Sequence, residues 1–212
     1  MIADIISYVS IASILLPIIF FVVVKQLIKN QAFNFLIAAI LLSFVTEIVY
    51  TILGYLHTSN FIVGNIYTVF FFLILILFYK NLLPQNKNWL YIFFTLYSGF
   101  IIINTLFFQN IMEYQGYSRA FGGVLIIVCS LMYYRSLLNN LPASNVMQYG
   151  LFWVNTGITY YYSFNLLLFI YSNYVFSNLP SDLGIIFWSF HNVNNIVKNI
   201  LFCVGIYYTG KP

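Results

Sequence analysis

Long apolar runs, broken at intervals by short polar clusters, extend along the whole chain. Seven of these runs are long enough to cross a hydrocarbon core of about 30 Å, which takes roughly 20 residues of α-helix. They are Ile5 to Val24, Phe33 to Leu56, Phe61 to Tyr79, Trp89 to Phe108, Ala120 to Leu138, Tyr149 to Tyr174 and Leu183 to Tyr208. Stretches such as Val69 to Phe78 are apolar at every position, unlike the alternating strand of a membrane β-barrel. The pattern predicts an all-α fold, a polytopic transmembrane bundle of seven helices forming a single domain over residues 1–212. The first run carries Asp4, lacks a basic leader and shows no clear small-x-small cleavage site, so it reads as a retained span and not a signal peptide.

The interruptions have chemical causes. Lys25, Gln26, Lys29 and Asn30 close the first span, and His57, Thr58, Ser59 and Asn60 make a polar turn after the second. Pro84, with Asn81, Gln85 and Asn88, separates the third span from the fourth. Pro142 and Pro180 fall in loops, where a missing N–H costs least. Only Pro17 lies inside a span, and it predicts a kink in the first helix.

Composition sharpens this picture by exclusion. Of 212 residues, 62% are hydrophobic and only 6% charged, against about 25% charged in a soluble domain. A soluble enzyme, a disordered tail and a nucleic-acid binder are excluded, despite a formal net charge of +4. The charges also sort by side. Lys25, Lys29, Lys80, Lys87, Arg135 and Lys211 fall on one side; Asp4, Glu113 and Asp182 fall on the other, with one cation, Arg119. Because Lys and Arg collect on the cytoplasmic side, the expected N-terminus is outside and the C-terminus cytoplasmic, in a bacterial-type inner membrane. The net positive charge then anchors helices at anionic headgroups of the lipid bilayer and need not signal an acidic partner.

Glu47, His191 and Lys198 are left within the spans. A charge near mid-bilayer costs about 2.5–3.5 kcal/mol on insertion scales, so such residues face the bundle interior and mark functional sites. The run Phe190 to Asn199 reads FHNVNNIVKN, which places His191, Asn194, Asn195 and Lys198 on one helical face. At 1.5 Å per residue, Glu47 and His191 share a depth of roughly 12–14 Å below the outer surface, and Lys198 lies about 10 Å deeper. His191 is therefore the better depth-matched partner of Glu47, while the Lys198 stem could lean outward and share the carboxylate through Asn194 or Asn195. Thr159 falls near the depth of Lys198, and Asn155 lies a turn closer to the cytoplasm. Asn165 sits further out, with Asn65 and Thr68 contributed by the third span. The expectation is an outward-facing polar pocket among spans two, three, six and seven. Its lining would be Glu47, His191, Asn194, Asn195, Lys198, Asn65, Thr68, Asn155, Thr159 and Asn165, with Glu47 and His191 near the floor. For the asparagines and threonines a structural role competes, since inter-helix hydrogen bonds of roughly 0.6 kcal/mol each hold bundles together.

Catalytic chemistry finds no support. Cys129 and Cys203 both fall in spans without disulfide or metal-ligand spacing, and no Walker loop, GxSxG or HExxH occurs. No enzymatic activity, metal or cofactor is expected. Three further classes stay open beside a sensor. A small transporter of a polar or ion-coupled solute would use the three-plus-one-plus-three plan of sugar-efflux and PQ-loop transporters. The faint match of Val63, Asn65 and Ile66 with Val193, Asn195 and Ile196 fits that plan. A retinal-binding protein would use Lys198, but Asn194 stands where a carboxylate is usual one turn earlier. An intramembrane aspartyl-type enzyme needs two carboxylates, and only Glu47 lies in a span.

Three segments carry a resemblance: GNIYTVFFFLILILFYKNLL (Gly64 to Leu83), FWVNTGITYYYSFNLLLFIYSN (Phe152 to Asn173) and WSFHNVNNIVKNILFCVGIY (Trp188 to Tyr207). Together they resemble a group of small, uncharacterised seven-span bacterial inner-membrane proteins associated with two-component sensor kinases. The matching positions are Asn65, Tyr67 and Thr68; Phe152, Trp153, Asn155, Ser163 and Asn165; and His191, Asn195, Lys198 and Asn199. The group often has an acidic residue in the third helix, where this chain has the apolar run Val69 to Phe72. The resemblance implies a sensory or signalling role, with an unknown small-molecule ligand and a membrane sensor kinase or similar signalling protein as partner.

Overall fold

The computed structural model describes residues 2–28, 30–83, 88–140 and 145–210. Lys29, Pro84, Gln85, Lys87, Pro142 and Lys211 lie outside them. The first span is two helices, α1 (Ile2–Ser13) and α2 (Leu15–Val24). The Pro17 ring is incompatible with a straight helix because it crowds the carbonyl four residues earlier, that of Ser13. The break falls at Ile14, whose N–H is bonded to Ile11 O at 3.2 Å, so the expected kink is present. The helices α3 (Ala32–Tyr55), α4 (Phe61–Leu82), α5 (Asn88–Phe107), α6 (Gly116–Asn139), α7 (Gly150–Asn178) and α8 (Ser181–Thr209) follow.

Among the described residues, and counting α1 and α2 as one, five helices are long and apolar enough to cross a membrane: α1–α2, α3, α4, α5 and α6. This gives the chain the character of a helical membrane protein. Helices α7 and α8 are the longest, at 29 residues each, but inward polar side chains dilute their apolar stretches. Outward faces are apolar, with Leu41, Val45, Ile48 and Ile52 of α3 exposed in a row at helical spacing.

Two of the described connections are held in different ways. After α3, the Thr58 N–H reaches Leu53 O at 3.0 Å and the His57 N–H reaches Gly54 O at 3.1 Å. This is a Schellman closure, with His57 in the left-handed position at φ 51°. The 108–115 connection is held by side chains. Asn104 Nδ2 donates to Gln109 Oε1 at 3.1 Å and to Ser118 Oγ at 3.0 Å, while Gln115 Nε2 donates to Thr105 Oγ1 at 2.8 Å.

Two ends of the bundle can be distinguished. The start of α1, the 56–60 turn, the 108–115 connection and the α7–α8 turn share one end, called here the near end. The far end holds the α2–α3 connection and the close of α8. There α7 and α8 approach until glycine is obligatory: a Cβ on Gly150 would sit 2.2 Å from Gly205 O, and one on Gly205 would sit 2.7 Å from Gly150 O. The apolar core, including Leu36, Leu75, Phe78, Ile126, Val154, Ile158 and Ile206, fills this far half.

A polar cavity in the near half of the bundle

The near half encloses a cavity of about 320 Å³, within the range of small-molecule sites. Helix α1 supplies Ser7, Ser10, Ile11 and Ile14, and α3 supplies Ser43, Thr46, Glu47 and Tyr50. Asn60 and the start of α4, with Phe61, Gly64 and Tyr67, form a third wall. Tyr114, Arg119, Tyr161 and Phe176 close one side, and Trp188, His191, Asn192 and Asn195 of α8 close the other. A second cavity of about 450 Å³ adjoins it toward the near end and shares Ser7, Phe176, Trp188 and Asn192.

The wall from α1 follows from its serines. Ser7, Ser10 and Ser13, three residues apart, fall along one side of the helix. Ser10 Oγ accepts from Asn195 Nδ2 at 2.9 Å, and Ser13 Oγ accepts from Asn199 Nδ2 at 2.8 Å. The polar stripe of α8 is thus clamped to α1, a helix the sequence reading had left out of the pocket.

Of the expected pocket residues, Glu47, His191 and Asn195 line the chamber. Glu47 and His191 are not joined by a hydrogen bond or ion pair among the described residues. His191 Nδ1 instead lies 3.1 Å from Asn165 Oδ1, and its ring stacks on Trp188 with centroids 4.4 Å apart. Matching depth did not make a pair, because the imidazole is drawn along α8 and toward α7. Asn194 points the same way: it accepts from Tyr160 OH at 3.1 Å and donates to Asn165 Oδ1 at 3.4 Å.

Lys198 lies below the chamber and is 6% exposed. Its Nζ sits 4.5 Å over the Tyr161 ring and 5.9 Å from the Phe202 centroid. It borders a narrow void with Ser43 and Asn199. Asn65 serves the near-end connection, donating to Ile111 O at 2.9 Å and to Glu113 O at 2.8 Å, and accepting from the Gln115 N–H at 3.2 Å. Thr68 donates to Gly64 O at 2.8 Å. Asn155 and Thr159 belong to a separate cluster in the far half. Asn155 Oδ1 accepts from Tyr79 OH at 2.8 Å and from Ser130 Oγ at 2.9 Å, and Thr159 is bonded to Ser130. The chamber therefore excludes Asn65, Thr68, Asn155, Thr159, Asn165, Asn194 and Lys198.

Arg119 is the residue the sequence reading misplaced among the surface charges. Helix α6 begins at Gly116, four residues before the expected Ala120, so Arg119 falls in its first turn and points into the chamber. Nη2 donates to Gly64 O at 2.9 Å, and the guanidinium carbon sits 4.4 Å over the Tyr114 ring. Gly64 is what admits it, since a Cβ there would lie 2.7 Å from Nη2 and 2.6 Å from Tyr50 OH. Among the described residues, Arg119 Nε and Tyr114 OH have no hydrogen-bond partner. One sequence signal was available: Arg119 is the single cation on the side that otherwise carries Asp4, Glu113 and Asp182.

Fold and chamber define a polytopic helical membrane protein with a polar cavity inside its bundle. Comparison with family models, curated proteins and solved structures returned no match.

Proposed function

We propose that this chain is a sensory or signalling membrane protein that binds a small polar solute in the chamber and passes its occupancy to a partner in the same membrane. One observation carries the reading: the chamber holds about 320 Å³ between polar walls, whereas the void that borders it past Ile14, Ser43 and Tyr161 narrows to about 10 Å³ among Leu36, Phe71, Leu75, Ile158 and Phe202. The Gly150–Gly205 contact locks α7 to α8 beyond them. A site that narrows in this way suits reception better than passage.

The sorting of Lys25, Lys80 and Arg135 against Asp4, Glu113 and Asp182 favours placing the chamber toward the outer side of a bacterial inner membrane. Occupancy would be read through helix positions, and α1 is the natural carrier, because the solute would touch Ser7 and Ser10 while Asn195 and Asn199 tie α1 to α8. A membrane sensor kinase is the kind of partner the resemblance implies.

Transport is the second reading. Lys198 favours it, buried beneath Glu47 and without an ion pair among the described residues, as a proton- or ion-coupled carrier would require. Purified protein in nanodiscs, screened by thermal unfolding against small acids, amines and sugars, tests the binding. One class should raise Tm, and the same solute should not cross liposomes containing the protein. Solute flux would favour transport, and the absence of any stabilising class would defeat both readings.

A further inference from the structure

We infer that the chamber takes a small organic anion, a carboxylate with an apolar body, and that Arg119 is the residue that binds it. The inference rests on the binding role proposed above and names the ligand class for that site. Arg119 lies in the cavity wall and keeps its charge under all accessible conditions. No acidic side chain pairs with it among the described residues. Its surroundings fix it without neutralising it, since Gly64 O and the Tyr114 ring are both uncharged partners. Nε is unbonded, so hydrogen-bonding capacity of the planar fork is left over.

A second observation points the same way. Tyr114 lines the chamber, is 6% exposed, and carries a hydroxyl with no partner. Tyr50 OH converges with Arg119 Nη2 over Gly64. A guanidinium with a tyrosine hydroxyl beside it matches the paired oxygens of a carboxylate. The chamber also holds the Glu47 carboxyl, which is not ion-paired with Arg119 among the described residues, so the anion is placed by Arg119 itself and not by the charge of the cavity as a whole. The wall beside Arg119 is aromatic: Tyr114 packs edge-on against Phe176 and Trp188, with centroids 5.9 Å and 5.8 Å apart. That wall favours an anion with an apolar or aromatic body over a bare inorganic ion.

The probe is phenylacetate, with phenylacetamide as its uncharged isostere. Wild type, Arg119→Gln, Gly64→Ala and Tyr114→Phe are titrated in phosphatidylcholine nanodiscs and followed by thermal unfolding and calorimetry. Phenylacetate should raise the wild-type Tm by about 3 °C at ten times its Kd, and further with the logarithm of its concentration, and phenylacetamide should not. Arg119→Gln should weaken phenylacetate binding by about tenfold or more, and Tyr114→Phe by about fivefold. Tyr114→Phe keeps the ring under Arg119, and Gly64→Ala displaces the guanidinium without removing it, so the test survives if Arg119→Gln does not fold.

Discs containing phosphatidylglycerol identify the source of the anion. If that lipid blocks phenylacetate in wild type, a lipid headgroup occupies the same Arg119 site, and the anion assignment stands. Equal binding of phenylacetate and phenylacetamide would overturn it, as would wild-type affinity in both Arg119→Gln and Tyr114→Phe. Stabilisation by an amine or a sugar, independent of Arg119, would also overturn it while leaving the binding role of the chamber intact. Failure of every solute class would defeat that role itself.

Discussion

Two polar regions of the bundle, one in each half, have similar residue types and opposite states. In the far half Asn155 is 0% exposed and fully engaged: its amide meets Tyr79 OH, Ser130 Oγ and, at 3.3 Å, Ser130 O. In the near half Glu47 and Arg119 face an open chamber, and Tyr114 OH has no partner. The contrast teaches that a polar residue in a membrane span is not informative by type alone. Where its hydrogen-bonding capacity is consumed, it joins helices; where capacity is left over beside empty space, it marks a site. Buried capacity left unused costs about 1–3 kcal/mol per group; Tyr133 OH and Trp89 Nε1 of the far half are also without a partner among the described residues, but only in the near half does such a group line the chamber.

Four substitutions sharpen or break that contrast. Gly205→Val should have the largest effect, because its Cβ would meet Val154 Cγ2 at 2.6 Å and the Gly150 carbonyl at 2.7 Å. A loss of about 3 kcal/mol or more is expected, seen as aggregation in size-exclusion chromatography. Asn155→Leu should follow, at about 2 kcal/mol, since it orphans Tyr79 OH in a dry interior and leaves Ser130 Oγ only its bond to Thr159. Denaturant or thermal unfolding measures it.

Asn195→Ala removes one bond, to Ser10 Oγ, at the chamber wall where water can substitute. A cost of about 0.5–1 kcal/mol is expected by the same assay. Arg119→Gln should have the smallest effect on stability, within about 1 kcal/mol of wild type. The lost bond to Gly64 O and the lost contact with the Tyr114 ring are offset by relief of an unneutralised charge. A large destabilisation by Arg119→Gln would move Arg119 from the site to the scaffold.

The helices were legible in the sequence because membrane spans are written in long apolar runs, and the Pro17 kink was legible because its steric cause is local. The start of α6 was not: Gly116 to Arg119 reads as a polar connection, and only the pinning of the 108–115 segment by Asn65, Asn104 and Gln115 lets the helix begin there. In the site, the inward face of α8 was legible from the spacing of His191, Asn194, Asn195 and Lys198. Their partners were not, because periodicity gives a face and depth gives a level, while the neighbour across the gap depends on how helices are arranged around the bundle. Glu47 and His191 share the chamber for the first two reasons and remain unpaired for the third. The assignment of α1 to the cavity wall needed only the Ser7, Ser10 and Ser13 spacing, but serine in a span is too common to carry weight until Asn195 and Asn199 are seen to bond it.

Thr46 and Ser130 allow one direct measurement, since both side chains are buried, at 7% and 0% exposure, and differ in whether a cavity lies beside them. In a Cys129→Ala, Cys203→Ser background, Thr46→Cys and Ser130→Cys are treated with a small charged methanethiosulfonate in detergent or nanodiscs. If the near half holds a solvent-filled chamber and the far half a closed cluster, Thr46→Cys is modified in the folded protein and Ser130→Cys only after unfolding. Equal reactivity of the two, or protection of both, would contradict that division.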